Sequence, residues 1–383
     1  MARFAIRRIL QGLLTLFLMI TGIFFFVQII MPGDFVSNFI LGLTLEQATE
    51  WRTQLGLDQP LWQQYLKWLR NLLTLDLGRS FYGFKVSDGI KSAAPHTILV
   101  FVTGLVLAFL IGQWLGRVTA WRGPGFISDS VTLTAIVFYA FFPPALAFFL
   151  EMFFRKIVVI YPPTTDPFWL RVQNAFTIPQ EVVIGRMSVL LGVVVIGLIA
   201  INLAANLLLH RRIPSLLNLL LAVGGWVASW FVTGIGVMAL WTLHSALVPI
   251  LAFVCLSTGE MLVLTRTSMN DTLHEEYIQT ARAKGLSERV IRDRHAARNA
   301  LLPILSKLVI SLPYLLGGLA IIEMAVDWPG MGASLFQSTQ QQDMPMILGY
   351  MLLIGVLALV SRLCLEFLYA FLDPRIRFAG GAR

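Results

Sequence analysis

Eight stretches of this chain are long enough and apolar enough to cross a lipid bilayer as a helix, and they constrain it more than any other feature. A crossing needs roughly 20 consecutive apolar residues. Residues 9–31 carry no charge at all. They follow Arg3, Arg7 and Arg8, and no small-residue cleavage site ends them, so they read as a retained signal-anchor helix. The remaining stretches are 97–115, 130–150, 187–209, 214–242, 246–265, 306–326 and 345–372. Composition agrees, with 57% hydrophobic and only 13% charged residues, against roughly 25% charged in soluble domains. One core cannot hide that much apolar surface, which excludes a soluble enzyme, a disordered chain and a secreted disulfide scaffold. Cys255 and Cys364 both fall in apolar runs and read as buried thiols. The expected fold class is an all-α polytopic membrane protein.

Basic residues set the expected orientation. Arg3, Arg7 and Arg8, then Arg117 and Arg122, then His210, Arg211 and Arg212 fall on one side of the eight spans. So do the eight Lys/Arg of residues 266–307 and the tail residues Arg375, Arg377 and Arg383. By the positive-inside rule that side is cytoplasmic, with both termini on it. Segment 327–343 on the other side has no Lys or Arg. The exception is the outer loop around Arg155, Lys156, Arg171 and Arg186. The net charge of +8 therefore reflects loops on the cytoplasmic side, with membrane lipid and not nucleic acid as the surrounding partner.

Residues 32–96 leave the bilayer as an external lobe. Within it Thr44-Leu45-Glu46-Gln47 has the form of a capping box opening a helix. Leu61, Trp62, Tyr65, Leu66, Leu69, Leu72 and Leu73 then recur at helical spacing. This small helical lobe either packs on the membrane domain or offers a docking surface.

The chain lacks the signatures of bond chemistry. It has no phosphate-binding G-x-x-x-x-G-K-[ST] loop: Gly78 and Gly83 have the spacing, but Phe84 replaces the lysine. His274-Glu275-Glu276 lacks the second histidine of a zinc site. The five histidines are scattered, so neither a catalytic residue nor a metal ligand is expected. Acids within spans, the usual relays of ion-driven carriers, reduce mainly to Glu260 and Glu323. Each reads either as a contact with the transport pathway or as a structural pair with a neighbouring helix.

The most informative stretch is the basic loop 267–303. Two short helices hinge at Gly285. Ile278 and Ala281 share one face, and Leu286, Val290, Ala297 and Leu301 share another. Thr280, Ala281, Arg282, Ala283, Lys284, Gly285 and Leu286 form a tip of small residues among cations. Such an element, joined rigidly to two spans, suits force transmission between a soluble motor and a membrane pore. A positive loop resting on lipid headgroups has the same composition.

The segment Thr280-Ala281-Arg282-Ala283-Lys284-Gly285-Leu286 resembles the coupling loop of ABC importer permeases of the dipeptide/oligopeptide/nickel family. In the wider superfamily Glu-Ala-Ala and three further residues precede the glycine. Here Gln279-Thr280-Ala281 stand there, so the first two positions depart. Arg298 to Pro303 (Arg-Asn-Ala-Leu-Leu-Pro) is similar to the same family. So are Arg7-Arg8-Ile9-Leu10, Pro32-Gly33-Asp34, the run Leu55 to Leu61 (Leu-Gly-Leu-Asp-Gln-Pro-Leu) and the run Leu75 to Phe81 (Leu-Asp-Leu-Gly-Arg-Ser-Phe). Glu323, Trp328-Pro329-Gly330-Met331-Gly332 and the terminal Leu372-Asp373-Pro374-Arg375-Ile376-Arg377 complete the set. The likeness is to the first, B-type permease and covers about 1–155 and 245–378.

It implies a type I importer transmembrane domain forming half of a pathway for peptides or related solutes in a bacterial inner membrane. It also implies a second, non-identical permease, two cytoplasmic ATPases that bind ATP and magnesium, and an external solute-binding protein, with no cofactor in this chain. The family's usual six spans leave 187–242 as an inserted pair. The expected division is thus span 1–31, lobe 32–96, spans and loop 97–186, inserted pair 187–242, and core 243–378. An ion-coupled peptide transporter or a membrane scaffold are the competing classes.

Overall fold

Within lipid, helices pair every backbone N–H and C=O internally, and the apolar runs fold accordingly. The computed structural model describes residues 2–30, 33–42, 44–156, 178–209 and 214–372. Among these the regular elements are helical, apart from one β-bridge between Arg79 and Lys85. The order begins with α1 (Ala2–Ile30), a 3-10 helix (Phe35–Gly42), α2 (Leu45–Leu55), α3 (Leu61–Leu73), α4 (Val86–Arg122), α5 (Phe126–Ala140) and α6 (Pro143–Lys156). It continues with α7 (Gln180–Leu209), α8 (Ser215–Val232), α9 (Gly236–Ser245), α10 (Leu247–Leu273), α11 (Glu276–Ala283) and α12 (Glu288–Val290). A π turn (Ile291–Ala296) then leads into α13 (Ala297–Ala325), α14 (Met331–Gln340) and α15 (Met344–Leu372).

Among the described residues five helices are long and apolar enough to cross a bilayer, and two bent pairs, each taken as one span, bring the number to seven. The expected spans therefore need correcting in three places. Residues 130–150 are not one rod: α5 and α6 meet at a 106° elbow. Pro143 and Pro144 explain it, because neither has an N–H to continue the preceding helix. Residues 214–242 divide into α8 and α9 at Thr233-Gly234-Ile235, where Gly234 has φ +77°. The helix expected from 97 begins at Val86, so 86–96 belong to the membrane domain. At 37 residues, α4 is about 55 Å long and overshoots the bilayer core. Cys364, expected inside, is exposed on α15. The motif residues 373–377, the basic joint 210–212 and Arg171 lie outside the described residues.

The core is built on close approach of α4 and α10. Gly104, Ala108, Gly112 and Gly116 recur every four residues and form one stripe. A Cβ at Gly104 would overlap Phe253, one at Gly112 would overlap Met261, and one at Gly116 would meet the Leu262 carbonyl at 2.9 Å. Small residues at this spacing let two backbones touch, the main source of helix association where water supplies no hydrophobic drive. Gly259 similarly admits the Ala135 carbonyl of α5. Leu308, Leu312, Leu315 and Leu319 of α13 fill the remaining side. On the far flank α1 and α15 interlock: Gly12 faces Leu359, and Gly355 faces Met19 and Leu16.

Helices α7 and α8 form a hairpin with its own core of Val183, Met187, Trp230, Ile235 and Ala239. Asn202 and Asn218 exchange amide hydrogen bonds of 2.8 and 3.0 Å. That pairing satisfies polar groups that lipid would leave bare. Ile184 reaches the main core, so the hairpin braces the bundle at its edge.

The lobe folds on Phe35, Val36 and Ala48. The capping box forms as expected, with Gln47 N–H donating to Thr44 Oγ1 and Thr44 N–H to Gln47 Oε1. Arg52 grips Asp34 through Nε (2.6 Å) and Nη2 (3.2 Å). Burial alone pushes the Asp34 carboxyl up, but the bonds from Arg52 and Ser37 outweigh it and hold it below the ordinary aspartate range. The lobe is bolted to α15 by Asp343, which is 1% exposed and accepts from Ser80 Oγ and from Phe81 N–H at 3.3 Å. Burial raises the Asp343 pKa against the hydrogen bonds from Ser80, Phe81 and Met346.

Candidate coupling loop and pathway surface

Helix α11 stands on an apolar footing. Ile278 is fully buried and Ala281 is 6% exposed. They pack with Ala120 of α4, Met269 of α10, Ile291 and Ala296 of the π turn, and Ala300 and Ile304 of α13. The loop is thereby fixed to three bundle helices at once. After Ala283 the helix closes in a Schellman arrangement, with Leu286 N–H donating to the Ala281 carbonyl (3.3 Å) and Gly285 N–H to the Arg282 carbonyl (2.9 Å). Gly285 has φ +74° with nothing within 4 Å of where a Cβ would stand. Glycine is required there for its backbone, not for lack of room.

The expected residues divide accordingly. Ala281 faces inward and serves the footing. Thr280, Arg282, Ala283, Lys284, Gly285 and Leu286 are exposed at the tip. Arg282 donates to Glu288 Oε1 at 3.1 Å, and its guanidinium lies 5.8 Å over the Trp121 ring. This bridges the tip to the end of α4. The expected face of Leu286, Val290, Ala297 and Leu301 divides, with Ala297 and Leu301 half-buried against the core and the first two turned outward. Leu286 and Val290 are 39% and 38% exposed, and the buried stripe is Ile291, Ala296, Ala300 and Ile304. The π turn adds a residue to one turn, which shifts the inward register away from the simple helical period.

Glu323 is fully buried and locks a loop. Its Oε1 accepts from Thr97 Oγ1 (2.6 Å) and its Oε2 from Gly332 N–H (2.7 Å). Thr97 Oγ1 accepts in turn from Met331 N–H (2.8 Å), and Trp328 Nε1 donates to the His96 carbonyl (3.3 Å). A Cβ at Gly330 would overlap the carboxylate. The run Trp328 to Gly332 is therefore clamped around one buried acid, with only Pro329 of the run exposed.

Glu260 sits differently. Ser311 Oγ donates to its Oε1, while Oε2 has no hydrogen-bond partner among the described residues. One turn along α10, Ser257 lines a cavity of about 390 Å³ with Tyr139, Tyr314 and the elbow residues Phe141, Phe142 and Pro143. Tyr314 and Ile310 beside it are 69% and 79% exposed. Sequence reasoning missed this cavity, although the Pro-Pro pair at the elbow signals a broken helix. Among the described residues no group of three or more His, Cys, Asp or Glu is placed to hold a metal.

A glycine-packed helical bundle with an exposed, rigidly footed loop and several bilayer-length helices has the architecture of a polytopic membrane protein. The family described as binding-protein-dependent transport system inner membrane component matches residues 108–378, and its N-terminal membrane component matches residues 1–88. The chain belongs to this family. It is 28% identical over 382 residues to a peptide permease protein of Brucella suis biovar 1, covering 98% of this chain and 99% of that protein. It is 29% identical over 392 residues to the oligopeptide transport system permease protein AppB of Bacillus subtilis, covering 99% and 100%. The glutathione transport system permease protein GsiC of Escherichia coli K12 is 29% identical over 384 residues, again covering 99% and 100%. The protein is thus a multi-pass permease subunit of an ABC importer with the type I transmembrane fold.

Proposed function

We propose that this permease imports peptides or glutathione-like solutes as half of a pathway completed by a second, non-identical permease. The observation that carries the reading is the tip Thr280–Leu286, exposed and small in profile on a footing shared by α4, α10 and α13. Two ATPase subunits holding ATP and magnesium dock there, and an external binding protein delivers solute at the opposite end, beside the lobe. The tip side is cytoplasmic, as the distribution of arginines favours. The names of the three relatives support the solute class. Nucleotide-driven closure of the motors displaces the footing, and the helices carry the displacement to the cavity between α5, α10 and α13. Glu260, one turn from the cavity residue Ser257 and with one buried carboxylate oxygen left without a hydrogen bond among the described residues, contacts solute or the second permease. The chain works through differential contacts in two states.

The test is disulfide crosslinking of a Lys284→Cys variant, with native cysteines replaced, to the ATPases that copurify in mild detergent, followed by uptake into proteoliposomes. Crosslinks to the ATPase and uptake that requires ATP are expected. Uptake that survives ATP depletion but collapses with an uncoupler would instead establish ion coupling.

A further inference from the structure

Helix α3 is two-faced in a way the lobe does not use. Tyr65 and Trp68 face α1: Tyr65 Oη lies 2.8 Å from Thr21 Oγ1, and the Phe24 ring lies 5.3 Å from Tyr65 and 5.9 Å from Trp68. Gln64 meets Gln28 at 3.5 Å. A second edge, Trp62, Leu66, Leu69 and Leu73 at steps of four, three and four, is turned outward, and of these four only Leu69 is half-buried among the described residues. Trp62, Leu66 and Leu73 are 58%, 52% and 79% exposed. The polar edge carries Gln63, Lys67 and Arg70, all exposed.

The depth of α3 follows from α1. Thr21 precedes Ile30 by nine residues, about 13 Å at 1.5 Å per residue, and the sequence from Ile9 to Gly33 is uncharged. A second ruler agrees. Helix α15 runs beside α1 from Met344, and its Leu348 lines one cavity together with Phe24, Gln28 and Trp68. The contacts of α3 thus lie along the last turns of α1, inside a single leaflet's thickness. At that level α1 also exposes Phe26, Ile29 and Ile30, at 63%, 71% and 59%.

We infer that α3 lies in the membrane interface on the lobe side, with Trp62, Leu66, Leu69 and Leu73 among acyl chains and Lys67 and Arg70 at lipid phosphates. The exposed edge continues the lipid-facing surface of α1, and a helix with one apolar and one cationic edge has the form of an in-plane anchor. Trp62 and Trp68 sit where indole rings favour the headgroup boundary. The lobe is then held in the bilayer plane, fixed by Asp343 at one side and anchored by α3 at the other. This rests on the membrane-spanning reading of α1.

The test uses the full chain with its copurifying partners in nanodiscs of phosphatidylethanolamine and phosphatidylglycerol. Cys255 and Cys364 are replaced, and single nitroxide labels are placed by Trp62→Cys, Leu66→Cys, Leu73→Cys, Gln63→Cys and Phe26→Cys. Collisions with oxygen should exceed those with a water-soluble nickel chelate at 62, 66, 73 and 26, and the ratio should reverse at 63. Nickel access at Leu66 with protection at Phe26 would place the edge in water and overturn the inference alone. Immobilised labels closed to both reagents would show a protein partner on the edge and also overturn it. Nickel access at Phe26 would overturn it together with the reading of α1.

Discussion

Replacing Glu323 separates the two roles its sequence position allows. In Glu323→Ala the N–H of Gly332 loses its carboxylate acceptor and the Thr97 hydroxyl loses the group it donates to, both in a buried site. An orphaned buried polar group costs about 1–3 kcal/mol. The truncation also leaves a void beside Gly330, so the total loss is about 3–5 kcal/mol. Glu323→Gln keeps an acceptor for Gly332 N–H and turns an amide donor toward Thr97 Oγ1. The hydroxyl must then find another acceptor, so this loss is about 1–2 kcal/mol. Thermal unfolding in detergent, read by size-exclusion fluorescence, should rank wild type above Glu323→Gln and both above Glu323→Ala. Uptake by Glu323→Gln should stay near wild type at a temperature where both are folded. Equal melting of all three with uptake lost in both variants would refute the clamp and make Glu323 a pathway residue.

Three further outcomes are expected. At the loop tip, Gly285→Asn retains a left-handed backbone, whereas Gly285→Ala costs about 1–2 kcal/mol; Gly285→Trp adds bulk in space that this chain leaves empty. ATP-coupled uptake should survive in the asparagine variant and fail in the tryptophan variant while the protein remains inserted, and normal coupling by the tryptophan variant would dismiss a docking role. In the lobe, the folded-state pKa of Asp34 is lowered, so the stability its carboxylate lends is present above the ordinary aspartate range and is lost as acidification protonates it. Arg52→Gln should therefore weaken the lobe by about 1–2 kcal/mol at neutral pH, with the difference vanishing in strong acid, as limited proteolysis across pH will report. In the core, Gly112→Leu should abolish accumulation in the membrane, because its Cβ already overlaps Met261; quantitative blotting of membranes gives the answer.

Local chemistry made parts of this architecture legible in the sequence. Thr44 and Gln47 announce their helix because capping is decided within four residues, and Leu61–Leu73 declares its periodicity. Gly285 reads as a hinge because few other residues take its backbone angle. What stayed hidden is non-local or masked by uniform apolarity. The Gly104–Gly116 stripe lies in a run whose length reports a crossing but not which side meets α10. The Ser80–Asp343 bond joins residues 263 apart, beyond any periodicity. The π turn at 291–296 defeats a 3.6-residue ruler: it separates the buried Ile291 and Ala296 by five residues, a step that a regular helix does not give. The elbow at Phe141–Pro144 was within reach, since consecutive prolines seldom sit inside an unbroken rod.

Helix α13 joins the coupling loop to the Glu323 clamp. Its first turns hold Ala300 and Ile304 in the footing of the loop, and its last turn holds Glu323. Between them it bends by 66° around 306–310, where Pro313 withholds an N–H from the Val309 carbonyl. A beam pinned at its far end and jointed at mid-length answers a push with a swing of its near arm, not a slide of the whole. Under the proposed coupling, motion entering at the loop is expected to be spent beside Tyr314, where the cavity lies, and to stop short of the clamp.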